Sequence, residues 1–208
     1  MPRKAVDIEC AFGAELYFWE ITESVEELAG LLPDGVGLLD EACGRFKSVQ
    51  RRREWLAARV LLQNTAYSGR GIVYDTNGAP MLHGGGKHIS ISHTGNIVAI
   101  AVSDTRIGLD IETGERNAFA VARMFLKENE MESLGNGGCV EALRLWTVKE
   151  SAFKLASEKV TVLKEIETEY KGVDTGVYTY DVKYPDGQSA ACRTYIAGGL
   201  FVSVSSFV

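Results

Sequence analysis

Twice along this 208-residue chain, a tryptophan-bearing helical stretch leads into a pair of strands that closes a unit. The first unit runs from Arg53-Glu-Trp55-Leu-Ala-Ala-Arg59 to Ile97-Val-Ala-Ile-Ala-Val-Ser103. The second runs from Arg144-Leu-Trp146-Thr-Val-Lys-Glu150 to Leu200-Phe-Val-Ser-Val-Ser205. A helix with one apolar stripe and a sheet with one apolar face must bury them together, so two such sets predict two packed units. The expected fold class is α+β: two similar α/β lobes related by pseudo-twofold symmetry. They would meet near Asp104-Thr105-Arg106, giving lobes 1–104 and 105–208. Chance similarity between two amphipathic elements produces the same pattern, and the repeat alone does not separate the readings.

Periodicity fills in the rest. Phe12 to Glu20 reads as a strand, and Ser24 to Leu31 as a short helix with Ser24 and Glu27 forming a capping box. Helices are expected at Leu39 to Phe46 and Gln50 to Tyr67. Turns are expected at 75–80 and 83–86, and a hairpin at Ile89–Ser92 and Ile97–Ser103 around Thr94-Gly95-Asn96. Ile107 to Glu112 reads as a strand, with helical stretches at Ala118–Phe125, Glu128–Leu134 and Val140–Ser157. Four strands follow, at Ile166–Tyr170, Val177–Tyr184, Ala190–Ile196 and Phe201–Phe207.

Composition narrows the class. With 46% hydrophobic and 24% charged residues the chain is of ordinary globular make-up. Twenty-eight acidic against 22 basic residues leave a net charge of −6, which argues against coating a nucleic-acid duplex. No apolar run approaches the ~20 residues needed to span a bilayer, and the first ten residues carry acids where a signal peptide needs its apolar core. A cytoplasmic protein is expected, without nucleic-acid or membrane partners. Cys10, Cys43, Cys139 and Cys192 are scattered and without zinc-ligand spacing, so four buried or half-buried thiols are expected.

Three short segments carry chemistry. In Ile107-Gly-Leu-Asp110-Ile-Glu112 the two acids lie two apart, hence on one side of a strand, with Leu109 and Ile111 facing a core. Such a pair is either a solvent-facing strand end or a seat for a hard cation such as Mg²⁺, which removes the mutual repulsion. From this segment alone the two readings carry similar weight. In Leu145-Trp146-Thr-Val-Lys149-Glu150-Ser-Ala-Phe-Lys154, Glu150 and Lys154 share a helix face. Alone they read as an exposed ion pair; beside a strand carboxylate pair, Glu150 reads as a third oxygen ligand. In Ile89-Ser-Ile-Ser92-His93-Thr94-Gly95, an imidazole among hydroxyls at a glycine turn could meet a phosphate, or lie on the surface.

Taken in chain order, Ile-Ser-His-Thr-Gly, then Ile-Gly-Leu-Asp-Ile-Glu, then Trp-x-x-Lys-Glu-x-x-x-Lys, the three segments resemble the 4′-phosphopantetheinyl transferases, and the chain length resembles their two-lobed, surfactin-synthetase-activating type. The resemblance implies transfer of the phosphopantetheine arm of coenzyme A to a serine of an acyl or peptidyl carrier protein, releasing adenosine 3′,5′-bisphosphate. Carried over, Asp110, Glu112 and Glu150 would hold Mg²⁺ (or Mn²⁺, which accepts the same ligands). Glu150 would also act as base for the serine. Lys154 would offset charge on the phosphate under attack, assisted by Lys149. His93 and Ser92 would meet the 3′-phosphate with one of Arg51 to Arg53, Arg53 matching the family helix best. Phe125-Leu-Lys-Glu-Asn-Glu130 matches the segment after the metal strand. Gly78-Ala79-Pro80 stands where the family often has Gly-Lys-Pro against adenine, keeping Pro80 but lacking one cation. Ser157-Glu-Lys159 stands where the family is glycine-rich. A monomer is expected. The competing functions are a non-catalytic coenzyme A or nucleotide binder and a magnesium-dependent hydrolase of the pyrophosphate.

Overall fold

The Ser24–Glu27 capping box forms as expected, with the Ser24 hydroxyl accepting from the Glu27 amide and the Glu27 carboxylate accepting from the Ser24 amide. The structure, a computed structural model, describes residues 3–4, 12–135, 138–156 and 160–208; Cys10 and the segment 157–159 lie outside the described residues. In chain order the elements are β1 (Arg3–Lys4), β2 (Glu15–Glu20), α1 (Val25–Gly30), α2 (Gly35–Arg45), α3 (Val49–Gln63), β3 (Ile72–Tyr74), β4 (Pro80–Leu82), β5 (His88–Thr94), β6 (Ile97–Ser103) and β7 (Ile107–Thr113). A 3-10 turn at Ala118–Val121 leads into α4 (Ala122–Phe125), α5 (Glu128–Ser133) and α6 (Gly138–Ala156). Then come β8 (Glu167–Asp174), β9 (Val177–Lys183), β10 (Ser189–Ala197) and β11 (Leu200–Phe207).

Two antiparallel sheets carry the chain, ordered β1-β2-β6-β5 and β7-β11-β10-β9-β8. Helix α3 covers one face of the first, burying Trp55, Leu56, Val60 and Leu62 with Val98, Ile100 and Val102. Helix α6 covers one face of the second, burying Val148, Ala152 and Leu155 with Tyr180, Val182 and Cys192. The remaining faces pack on each other, with Leu16, Ala99 and Ala101 against Leu109, Ile111, Val202 and Val204. Strand β6 is therefore buried on both sides, which is why it reads as an unbroken apolar run rather than an alternation. Among the described residues no helix is long and apolar enough to cross a membrane.

Three expectations change. Helix α2 begins at Gly35, four residues before the expected Leu39. A Cβ at Gly35 would stand 2.1 Å from the Ala29 carbonyl oxygen, so packing against α1 demands the glycine that hides the helix from a propensity reading. The turn-rich stretch around 75–80 is flanked by the small hairpin β3–β4. Cys43 and Cys139 are exposed, each on a helix surface, rather than buried or half-buried; Cys192 is fully buried. Burial pushes the Cys192 thiol up to about 11. Because the thiolate is the reactive form, a maleimide should label Cys43 and Cys139 within minutes and Cys192 only after denaturation. Peptide mapping of the adducts checks this, and native labelling of Cys192 would contradict its burial.

Candidate active site

Residues 108, 110 and 112 alternate onto the side of β7 that faces α6. A Cβ at Gly108 would lie 1.9 Å from the Ser151 carbonyl oxygen and 3.0 Å from the Leu155 amide, so glycine lets the helix backbone rest on the strand. That contact sets Glu150 and Lys154 over Asp110 and Glu112. The Lys154 ammonium donates to Asp110 Oδ1 at 2.8 Å and to the Leu109 carbonyl at 3.0 Å. Arg116 forms an ion pair with Glu112, and its guanidinium carbon lies 4.1 Å from the Trp146 ring centroid.

The acids are also held from the other sheet. Ser92 donates to Asp110 Oδ1 at 2.8 Å and Thr94 to Glu112 Oε2 at 2.7 Å. Asp110 and Glu112 retain only 5% and 7% of their surface, which makes the repulsion between them costly. Burial pushes the Glu112 carboxyl up and Asp110 adds to that, against the Thr94 hydrogen bond and the Arg116 charge. Burial likewise pushes Glu150 up, with Asp110 and Glu112 reinforcing it and Lys154 and Arg116 opposing.

Among the described residues no three His, Cys, Asp or Glu side chains already form a metal cage. The donors nevertheless suit a hard cation. All three are carboxylates, two are held in a raised state by burial and by one another, and Asp110 Oδ2 is buried without a hydrogen-bond partner. Lys154 and Arg116 supply the countercharge in the structure described here.

Lys154 also lines a cleft of about 880 Å³. Its far wall comes from the end of α2, from α3 and from the β3–β4 hairpin, and includes Arg45, Phe46, Arg51, Tyr74 and Pro80. Arg45 lies 4.5 Å from the Tyr74 ring centroid and Arg51 5.7 Å from that of Phe46, a wall of cations and flat rings. His93, at the cleft, contacts Arg51 through Nε2, and its Nδ1 is 3.4 Å from Glu54. Burial lowers the His93 pKa, Arg51 and Lys154 lower it further, and Glu54 and Asp110 oppose. The imidazole is thus neutral at pH 7.

The structure gathers Asp110, Glu112, Glu150 and Lys154, of which Lys154 lines the cleft, with His93 and Pro80 on its walls. It places two other candidates elsewhere and gives a third, Ser92, a different partner. Arg53 ties α3 to the preceding segment, donating to the Glu23 carbonyl at 2.9 Å and the Ile21 carbonyl at 3.1 Å, whereas Arg51 lines the cleft. Lys149 is fully buried against Glu130 Oε2 at 2.6 Å and the Ile166 carbonyl at 2.8 Å, away from Glu150 next in sequence. Adjacent helical residues point in different directions, and that rule alone separates the two. The Ser92 hydroxyl is committed to Asp110 and to the Ile111 amide. Arg45 and Arg116 are additions that no local motif announces, and Thr94, written within the Ser92-His93-Thr94-Gly95 segment, holds Glu112 rather than a phosphate.

A sequence profile described as the 4′-phosphopantetheinyl transferase superfamily matches residues 106–189, the stretch that carries the acids and α6. The 4′-phosphopantetheinyl transferase psf-1 of Bacillus pumilus is 27% identical over 164 residues, covering 73% of this chain and 65% of that protein. The 4′-phosphopantetheinyl transferase AcpT of Salmonella typhimurium is 34% identical over 134 residues, 61% of this chain and 67% of that protein; AcpT of Salmonella typhi matches to the same extent. The matches thus span about two thirds of each relative's length. With AcpT above 30% identity over that share, and the profile lying on the strand and helix that build the acidic site, the chain belongs to the 4′-phosphopantetheinyl transferase superfamily.

Proposed function

We propose that this protein transfers the 4′-phosphopantetheine group of coenzyme A to a serine hydroxyl of an acyl or peptidyl carrier protein, releasing adenosine 3′,5′-bisphosphate. The observation that carries the reading is the meeting of Asp110, Glu112 and Glu150 with Lys154, which itself lines a cleft walled by Arg45, Arg51 and His93. In the reaction, the serine oxygen bonds to the phosphorus bearing the pantetheine arm. The bond from that phosphorus to the bridging oxygen breaks, and the bisphosphate leaves with the bridge. Such a step calls for alignment and charge neutralisation rather than a covalent enzyme intermediate.

Glu150 takes the serine proton. Its place on α6, one helical turn before Lys154, sets it at the reacting phosphate with the two strand acids. Lys154, held between the Leu109 carbonyl and Asp110, offers its ammonium to the phosphate under attack. Arg51 takes the 3′-phosphate, and His93 beside it adds a hydrogen bond. The flat wall of Tyr74, Phe46 and Pro80 receives the base, and Arg45 supplies a cation near the position where Ala79 has none. Asp110, Glu112 and Glu150 would hold Mg²⁺, which when bound neutralises diphosphate charge. The same reading takes the chain as a cytoplasmic monomer of two pseudo-symmetric lobes, 1–104 and 105–208; the parallel roles of α3 over β6 and α6 over β11 support the two lobes.

Incubation with coenzyme A, Mg²⁺ and several apo-carriers should add one phosphopantetheine to a carrier by intact mass. No gain on any carrier, beside a working control enzyme, would overturn the reading. Coenzyme A bound without transfer would favour a non-catalytic binder, and phosphopantetheine released without a carrier would favour a hydrolase.

The carboxyl shifts make a pH prediction. Protons and cation compete for Glu112 and Glu150, whose folded-state values are raised above 4.5. Calorimetric Mg²⁺ affinity should therefore fall on acidification from neutrality, beginning above pH 4.5. The contribution of these two carboxyls to the stability of the metal-free chain should move the opposite way. A raised folded pKa contributes stability below the unfolded value, and that stability is lost as pH rises through the folded value. An affinity unchanged from pH 7 down to pH 4.5 would contradict the shifts.

A further inference from the structure

Strand β5 carries hydroxyls at 90, 92 and 94, every second residue and hence on one side of the strand. Their oxygens accept from alternate amides of β7: Ser90 from Leu109 at 2.9 Å, Ser92 from Ile111 at 3.1 Å, and Thr94 from Thr113 at 3.4 Å. The two strands belong to different sheets, so this ladder of side chains replaces backbone pairing along that edge of β7. A hydroxyl has one proton. With its oxygen fixed by a backbone amide, the proton of Ser92 goes to Asp110 Oδ1 and that of Thr94 to Glu112 Oε2.

We infer that Thr94 and Ser92 are positioning residues for the cation site: each hydroxyl, anchored on β7, fixes one oxygen of an acid, Ser92 holding Oδ1 of Asp110 and Thr94 holding Oε2 of Glu112, whose Oε1 is paired with Arg116. The inference rests on the proposed cation site and adds residues to it. It also gives Ser92 a role different from contact with the coenzyme A phosphate. Ser92 and Thr94 are 3% and 9% exposed, and both hydroxyls are already doubly engaged. On Asp110 the oxygen left over is the buried, unpartnered Oδ2. A carboxylate whose rotamer is fixed before the cation arrives loses less entropy on binding, and residues behind metal ligands typically change affinity by about 10- to 100-fold.

The test is titration of the full chain with Mn²⁺, free ion being read by electron paramagnetic resonance and folding by circular dichroism. Thr94→Val keeps the shape and removes the hydroxyl; Mn²⁺ affinity should fall about 10-fold or more. Thr94→Ser should restore it to within about threefold of wild type, because the donor returns without the methyl. Ser92→Ala tests the other acid and keeps the question open to refutation should Thr94→Val fail to fold. It should weaken Mn²⁺ binding, and any rise in the KM for coenzyme A should disappear at saturating Mn²⁺. Wild-type affinity in a folded Thr94→Val or Ser92→Ala chain would overturn the inference while leaving the cation site standing. A raised KM with normal Mn²⁺ binding in Ser92→Ala would return Ser92 to phosphate contact and overturn its positioning role. No Mn²⁺ uptake by wild type would overturn the cation site itself, and the inference with it.

Discussion

Asp110→Asn is expected to remain folded and to lose transfer by about 10²- to 10³-fold, the usual range for removing one preorganised charge from a reacting site. Asparagine has nearly the shape of aspartate, and its oxygen can still accept from Ser92 and Lys154, the two partners of Oδ1. What changes is the charge. Without it the oxygen set falls from three carboxylates to two, and the carboxyl of Glu150 drops toward its ordinary value because one of its repulsive neighbours is gone. Stability should alter little. The relief of repulsion among Asp110, Glu112 and Glu150 is offset by a weakened Lys154 pair and by an amide nitrogen placed where Oδ2 has no partner. Each of these contributions is on the order of 1 kcal/mol. A thermal melt beside single-turnover transfer at saturating Mg²⁺ separates the two effects. Near-wild-type turnover would remove Asp110 from the proposed machinery. Recovery at raised Mg²⁺ would place its role in cation affinity.

The elements were legible where one physical signal dominates. Ser24 with Glu27 announces α1, and Gly95, at φ 55°, closes the β5–β6 hairpin that the apolar runs around it predict. The acids at 110 and 112 were legible as a pair because alternation in a strand is rigid. Less legible was which residues reach the acids from elsewhere. Lys149 and Glu150 look alike within a motif, yet Lys149 goes inward to Glu130, a partner that only the path of α5 brings near. Arg51, Arg52 and Arg53 are similar letters on a helix. Their separation follows from the segment beneath them, where Arg52 meets the Phe46 carbonyl and Arg53 those of Ile21 and Glu23. The hydroxyls of β5 were written as an alternation, Ser90-Ile-Ser92-His-Thr94, but their purpose depends on a strand of the other sheet lying alongside. Local pattern gives direction; the partner comes from topology.

Gly108→Ala should have the largest effect on stability of any single methyl added near the site. The new Cβ would stand 1.9 Å from the Ser151 carbonyl oxygen, a separation that must open to at least 3.0 Å. Both sides of this contact are backbone, so no side chain can turn aside. The helix is also clamped: Thr147 meets Ser203 and Ser151 meets Ser205, hydroxyl to hydroxyl at 2.7 Å each. Relief therefore requires α6 to lift from β7, stretching those bonds and loosening Val148, Ala152 and Leu155 in the core. A cost of about 3 kcal/mol is expected, at the upper end for overpacking, and a melting temperature roughly 6 to 12 °C lower for a chain of this size. Because Glu150 and Lys154 ride on α6 while Asp110 and Glu112 ride on β7, the same displacement should lower transfer about 100-fold even well below the melt. Gly44→Ala is the contrast. It sits in α2 with open space around its Cβ, and alanine there should be neutral or stabilising by up to about 1 kcal/mol. Equal melting temperatures for Gly108→Ala and wild type would mean that α6 does not rest on β7 as described. A lower melt with full activity would mean that the acids and Glu150 do not act as one site.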